Sequence, residues 1–114
     1  MFSSTSFAGW TKVGESVIGN TFYVDFERIR KHGGYVYYWQ LDNFLKPDKD
    51  GDLSVIKYGQ VDCNLMRYKL LSGFAYKEPM GVGNRSSSFT PENPTWEYPP
   101  PKSSIETILE EVCS

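Results

Sequence analysis

Apolar and polar residues alternate along much of the chain, and the alternation is clearest in two segments. Thr21 to Phe26 and Tyr35 to Leu41 each repeat with a period of two residues. Successive side chains of a strand point to opposite faces, so this period predicts two half-buried strands. In the second segment the side chains that share one face are Tyr35, Tyr37, Trp39 and Leu41.

Further segments of similar character predict a sheet with short connections. The additional strands are Trp10 to Val13, Leu53 to Cys63, Arg67 to Phe74, and an edge strand at Thr95 to Tyr98 that ends before a proline run. Gly59 inside the longest of them predicts a β-bulge, and His32-Gly33-Gly34 predicts a tight turn. Short links between successive strands indicate an antiparallel meander.

The pattern changes to a helical period near the end of the chain. Between Ser103 and Cys113, apolar residues recur at i, i+3, i+4 and i+7, which is one stripe of a helix. Ser103 and Glu106 form a capping box, in which each side chain accepts from the other residue's backbone N–H. About three helical turns are marginal alone. We therefore expect this helix to be docked on the sheet.

Two segments have the composition of loops. Lys46 to Asp52 combines Pro, Gly and Asp and predicts a hairpin tip. Glu78 to Pro94 is dense in Gly, Ser, Asn and Pro, and it predicts a long loop that is mobile around Asn84 to Ser88.

These elements predict an α+β fold, with an antiparallel sheet of about five or six strands and one C-terminal helix on one face. We expect Trp39 on the helix side, in a core with the residues Phe22, Val24, Leu70, Ile108 and Leu109. The alternation then places Val36, Tyr38 and Gln40 on the opposite face.

Length, charge and cysteine content narrow the class of protein. A chain of 114 residues is one domain, and a net charge of −2 gives no general attraction to nucleic acid. No apolar run approaches the roughly 18 residues that a membrane span needs. A disulfide between Cys63 and Cys113 would tie the helix to the sheet and would indicate an oxidising, extracytoplasmic compartment. The alternative is a pair of reduced, buried cysteines in a cytoplasmic protein.

Residues 9–114 are predicted to form the single domain, and a short segment precedes it. Ser6-Phe7-Ala8 has the small-x-Ala form of a signal-peptidase site. Residues 1–8 are therefore predicted to be the remnant of a signal peptide or, as the alternative, a disordered tail.

No residue set predicts a catalytic, cofactor or metal site. Asp48 to Asp52 resembles the start of a calcium loop, but Leu53 stands where an EF-hand needs Gly and Gly59 where it needs Glu. His32 is the single histidine, which leaves a zinc site short of ligands. The glycine-rich run from Met80 to Asn84 lacks the Lys-Ser/Thr of a P-loop.

Tyrosines interleaved with basic residues provide the candidate for binding. Arg67 and Lys69 fall on one face of their strand, and Tyr38 is predicted to be exposed on the outer face of a nearby strand. Tyr and Arg are favoured at interfaces, so Tyr38, Arg67 and Lys69 form a candidate face for a protein or glycan partner.

The order of these features resembles the surface-adhesin protein E-like domains of bacterial envelopes. The resemblance rests on Phe22-Tyr23-Val24-Asp25, Trp39 with Leu41, Val61-Asp62-Cys63 and the terminal Val112-Cys113, together with Trp10, Ile29, Ser54, Arg67, Tyr68, Gly81 and Trp96. It implies an antiparallel sheet, a C-terminal helix tied back by a disulfide, and a periplasmic, secreted or surface location. It also implies a non-enzymatic module that binds host or partner proteins and can form a homodimer. The alternative is a structural or stress-related periplasmic protein with no dedicated ligand.

Overall fold

A single antiparallel sheet of eight strands organises the computed structural model, which describes residues 6–7 and 9–114. The strands are β1 (Ser6–Phe7), β2 (Trp10–Glu15), β3 (Thr21–Val24), β4 (Arg30–His32), β5 (Tyr35–Asn43), β6 (Ser54–Asp62), β7 (Arg67–Tyr76) and β8 (Arg85–Phe89). One helix, α1 (Ser104–Cys113), follows them. The predicted α+β class and antiparallel meander are confirmed.

The strands lie in the order β1-β2-β3-β5-β6-β7-β8, and β4 lies beside the beginning of β5. β3 and β4 pair with the two ends of the same edge of β5. A short 3-10 turn at Phe26–Arg28 separates them. The register shifts between Tyr58 and Gly59, so the predicted bulge at Gly59 is confirmed.

Helix α1 begins at its predicted cap and is tied to the sheet by the predicted disulfide. The Ser103 hydroxyl accepts from the Glu106 backbone N–H at 3.2 Å. The Glu106 carboxylate accepts from the N–H of Lys102 at 2.8 Å instead of that of Ser103, so the second half of the capping box is displaced by one residue. Cys63 and Cys113 are bonded, with Cα atoms 5.8 Å apart.

The hydrophobic core lies between α1 and one face of the sheet. Its buried members are Val24, Val36, Tyr38, Val61, Ile108, Leu109 and Val112. The prediction that Trp39 faces the helix and Tyr38 faces away is therefore wrong: Tyr38 is 2% exposed within this core.

The reversal has a physical reason in the composition of β5. Aromatic rings occupy both of its faces, so alternation alone does not decide which face receives the helix. The helix side also includes two buried polar residues. Gln40 donates to Asp42 at 2.8 Å and Lys57 pairs with Asp42 at 2.8 Å, so these groups can be buried there without losing partners.

Two predicted segments near the end of the chain are corrected. Glu78 to Pro94 is not one long loop, because β8 lies within it and pairs with β7. The mobility of Asn84 to Ser88 stays a prediction. Thr95 to Tyr98 is not a strand, and its one bridge joins Glu97 to Tyr68.

The prediction for residues 1–8 falls mainly outside the described residues. Within that range the structure describes only β1, whose two residues pair with Trp10 and Thr11. The signal-peptide remnant and the disordered tail therefore both stay predictions.

Candidate binding face

The face of the sheet opposite α1 exposes a series of aromatic rings, and we call it the open face. The rings on it come from three adjacent strands, from the start of β2 and from the segment before α1: Trp10, Tyr35, Tyr37, Trp39, Tyr58, Phe74 and Trp96. Apart from Trp10, which is buried, each of these rings is partly exposed.

The rings contact one another across the strands. The Trp39 centroid lies 4.6 Å from that of Tyr58 and 6.3 Å from that of Phe74, and Tyr37 lies 6.2 Å from Tyr58. These separations fall within the range of favourable aromatic pairs, which contribute about 0.5–1.5 kcal/mol each beyond area burial. The open face is therefore a packed surface whose ring positions are fixed before any partner arrives.

Four cations lie over these rings. Arg67 and Lys69 both lie over Trp96, at 4.5 and 4.6 Å from its centroid. Arg85 lies 3.9 Å from the centroid of Phe74. The fourth is Arg28, whose guanidinium carbon is 5.7 Å from the Trp10 centroid and 5.3 Å from that of Trp39. Cation–π contacts orient positive charge along the face while leaving it accessible.

Two of the cations are held by buried carboxylates. Arg28 Nε is 2.6 Å from Asp25 Oδ2, and Arg67 Nε is 3.0 Å from Asp62 Oδ2. Burial opposes ionisation of Asp62, but the Arg67 guanidinium and the backbone N–H groups that follow Asp62 outweigh it, so the pKa of Asp62 lies below its usual range. These pairs fix the direction of both guanidinium groups.

One end of the open face is covered by the connection between β7 and β8. Leu41 points to this face but is fully buried, and a Cβ added at Gly81 would lie 2.6 Å from Ile56 Cδ1 and 3.7 Å from Leu41 Cδ1. The Ser54 hydroxyl holds this connection in place, since it accepts from the Gly81 N–H at 2.8 Å. The accessible part of the face is therefore the region between Trp39 and Trp96.

The structure separates the three residues predicted to form a binding face. Arg67 and Lys69 lie together on the open face, over the same ring. Tyr38 is buried on the other side, for the reason given above, and the prediction that it is exposed is wrong.

Sequence reasoning did not associate Arg28, Arg85 or Trp96 with this face. Arg28 and Trp96 lie outside the strands. Arg85 lies on β8, a strand that the sequence pattern did not reveal. Their placement depends on pairings distant in sequence, which local periodicity does not report.

The acidic hairpin tip brings three carboxylates together, and two of them have partners within the chain. Ligand atoms of Asp48, Asp50 and Asp52 lie within 4.8 Å of one another. Lys77 Nζ lies 3.1 Å from Asp52 Oδ1, and Asp48 Oδ1 accepts from the backbone N–H groups of Asp50 and Asp52 at 2.9 Å. An ammonium group thus supplies the positive charge at this tip. His32 is exposed on β4, opposite Tyr35.

A helix tied by a disulfide to one sheet face, with rings and cations displayed on the other, defines a small α+β domain with a preformed open surface. The family model for surface-adhesin protein E matches residues 10–114. The chain therefore belongs to the surface-adhesin protein E family.

Solved structures share this fold. A Haemophilus influenzae protein E structure in a second crystal form superposes with a TM-score of 0.68 at 18% identity, and the match covers 99% of this chain and 94% of the other. Protein E from non-typeable Haemophilus influenzae gives 0.63 at 16% identity, covering 97% and 79%. No curated protein matches the chain.

Family membership supports an adhesin-like, extracytoplasmic and non-enzymatic character for this domain. The Cys63–Cys113 bond agrees with an extracytoplasmic location, since such bonds persist in oxidising compartments. No helix among the described residues is long and apolar enough to cross a membrane.

Proposed function

We propose that this domain is a non-enzymatic, adhesin-like binding module that engages acidic surfaces of partner proteins through its open face. The observation that carries the proposal is the set of four cations held over partly exposed rings, on the face that α1 leaves uncovered. Aromatic residues and Arg are enriched at interfaces and among the residues that contribute most to binding energy.

Charge distribution supports an acidic partner. The chain as a whole has a net charge of −2, yet four cations lie on one face. Asp25 and Asp62 neutralise Arg28 and Arg67, so Lys69 and Arg85 supply the positive charge of this face. Exposed acids at the end of α1, Glu110 and Glu111, belong to the other side of the sheet. Complementary charge accelerates encounter and orients the partner more than it raises affinity.

Preorganisation supports the same function. Ordering a flexible side chain on binding costs about 0.5–1.5 kcal/mol. Arg28 and Arg67 are already ordered by buried carboxylates, and the rings pack against one another, so little of this cost remains.

Biolayer interferometry against a panel of purified acidic proteins, with basic proteins of similar size as the comparison, tests the proposal. We expect the double variant Lys69→Ala/Arg85→Ala to slow association or abolish binding while leaving the melting temperature nearly unchanged. Lys46→Ala/Lys102→Ala is the control, because it removes the same number of charges from exposed positions elsewhere. Equal loss of binding in both doubles, or none in either, would overturn the proposal and leave a structural periplasmic role as the better account.

A homodimer through the open face is a related prediction. Pairing of two copies through this face would rest on its exposed rings and would bring like charges together. We expect analytical ultracentrifugation to show a concentration-dependent dimer that the Lys69→Ala/Arg85→Ala variant strengthens. A strictly monomeric parent at high concentration would remove the dimer without affecting the binding proposal.

A further inference from the structure

Two cations of the open face lie over separate rings. Lys69 Nζ is 4.6 Å from the centroid of Trp96, and Arg85 Cζ is 3.9 Å from the centroid of Phe74. Lys69 is half-buried and Arg85 is exposed. Within the described part of the chain, no carboxylate forms a salt bridge with either cation. These are therefore the two charges of the open face that a ligand can neutralise.

A bulge in β7 places both charges on the same face. Lys69 and Phe74 are five residues apart, and side chains separated by an odd number of residues point to opposite faces of a regular strand. Leu70 and Ser72 pair with adjacent residues of β6, so Leu71 is the extra residue of the bulge. The extra residue reverses the alternation. Lys69 therefore shares the open face with Phe74 and with the cation above that ring.

The strand register gives the spacing between the two charges. Lys69 lies opposite Gln60 of β6. Phe74 lies opposite Ile56, four residues away on the same strand. Four steps of about 3.3 Å place the two cations about 13 Å apart in the strand direction. Tyr58 lies midway between these positions and presents a partly exposed ring. The open face thus has the order cation, ring, cation along the strands.

This spacing matches an extended chain better than a helix. In an extended segment, residues i and i+4 point to the same side and lie about 13 Å apart, with residue i+2 between them on that side. In an α-helix, residues that share a face recur at about 6, 11 and 17 Å along the axis. Because none of these helical spacings matches, two acids of an extended segment fit the two cations best.

We propose that the open face binds an extended segment of a partner protein that has acids at positions i and i+4 and an apolar residue at i+2. The acids pair with Lys69 and Arg85, and the apolar side chain contacts the Tyr58 ring between them. Binding of such a segment rests on the proposed function of this face, and it specifies the conformation and the charge spacing of the ligand.

Nuclear magnetic resonance titration of the full chain with two capped peptides of identical composition tests this ligand class. Both peptides contain two Glu and one Leu in a background of Ser and Gly, with Leu at i+2. The first has Glu at i and i+4. The second has Glu at i and i+3, which point to opposite sides of an extended chain but share one face of a helix. We expect the first peptide to bind about three- to fivefold more tightly, the gain from one exposed ion pair, and to shift resonances of Tyr58, Lys69 and Arg85.

Single variants show whether each acid meets its own cation. Lys69→Ala and Arg85→Ala should each weaken binding of the i, i+4 peptide by about three- to fivefold. Replacement of one Glu of this peptide by Gln should then have no further effect in one variant and its full effect in the other. Lys46→Ala is the matched control, because it removes an exposed charge from the connection between β5 and β6, and it should bind as the parent does.

Four results would overturn the extended ligand. They are equal affinity for the two peptides, no shifts on the open face, tighter binding of a helical peptide with Glu at i and i+7, and shifts that dilution of the chain alone reproduces as a second copy dissociates. The panel of acidic proteins distinguishes this failure from failure of the proposed function. Charge-dependent binding of whole proteins would remain if only the extended segment were wrong, and it would be absent if the face bound no acidic partner.

Discussion

The two faces of the sheet are both rich in apolar residues, but they use them differently. On the helix face, side chains such as Val61 and Leu109 are fully buried and contact α1. On the open face, rings such as Trp39 and Tyr58 are only partly buried and contact one another and cations. The first arrangement maximises area removed from water, whereas the second maintains an ordered, charged surface that water still reaches. Partial exposure of large residues therefore distinguishes a surface available for binding from a core.

The largest effect on stability should come from removal of the disulfide that holds α1 on its face of the sheet. Cys63 and Cys113 are 50 residues apart, and closing such a loop stabilises by about 4 kcal/mol in the chain-entropy model. Cys63→Ser/Cys113→Ser should therefore lower the melting temperature by about 15 °C in a thermal melt followed by circular dichroism. A parent protein treated with reductant should melt at the same lowered temperature as the variant. A double variant that melts like the oxidised parent would show that packing alone holds α1.

The next largest effect on stability is expected for a core residue of the helix face, in comparison with a ring of the open face. Leu109 is 0% exposed, and Leu109→Ala should cost about 3 kcal/mol because it leaves a cavity under α1. Trp39→Ala removes a larger side chain that is only partly buried, and we expect the loss of its ring pairs, its cation contact and its buried area to cost about 2 kcal/mol in all. Urea unfolding of both variants measures the difference. A Trp39→Ala variant less stable than Leu109→Ala would mean that the open face acts as the main core.

A smaller effect should appear at low pH on the open face. The pKa of Asp62 is lower in the folded state than in the unfolded state. Its ion pair with Arg67 therefore stabilises the fold fully when the pH is above the unfolded-state pKa, about 4, and this stabilisation is lost as the pH falls through the folded-state pKa. Hydrogen bonds from Ser86 and Lys77 lower the pKa of Asp52 in the same direction. Asp62→Asn should flatten part of the decline in stability below about pH 4, measured by urea unfolding across pH. If the stability of the variant declined with pH as that of the parent does, other carboxylates would be responsible for the decline.

Features specified by neighbouring residues were predictable from the sequence, whereas the choice of face was not. The Ser103 cap and the α1 stripe are local, and two cysteines permit a single intramolecular bond. β8 could not be predicted because its side chains are all exposed, so its sequence shows no alternation of apolar and polar residues. Backbone pairing with β7 holds it in the sheet. The orientation of β5 depends on contacts with distant partners: a helix above Tyr38, and the rings of Tyr58 and Phe74 beside Trp39.

The assignment of the helix face and of the open face depends on the orientation of β5, and three consecutive residues test this orientation. Hydroxyl-radical footprinting with mass spectrometry reports side-chain access at Tyr37, Tyr38 and Trp39 in one peptide. Tyr37 and Tyr38 have the same intrinsic reactivity, so their ratio depends on exposure alone. We predict modification of Tyr37 and Trp39 at several times the rate of Tyr38, which is 2% exposed under α1. Faster modification of Tyr38 than of both neighbours would place the helix on the opposite face and contradict the account.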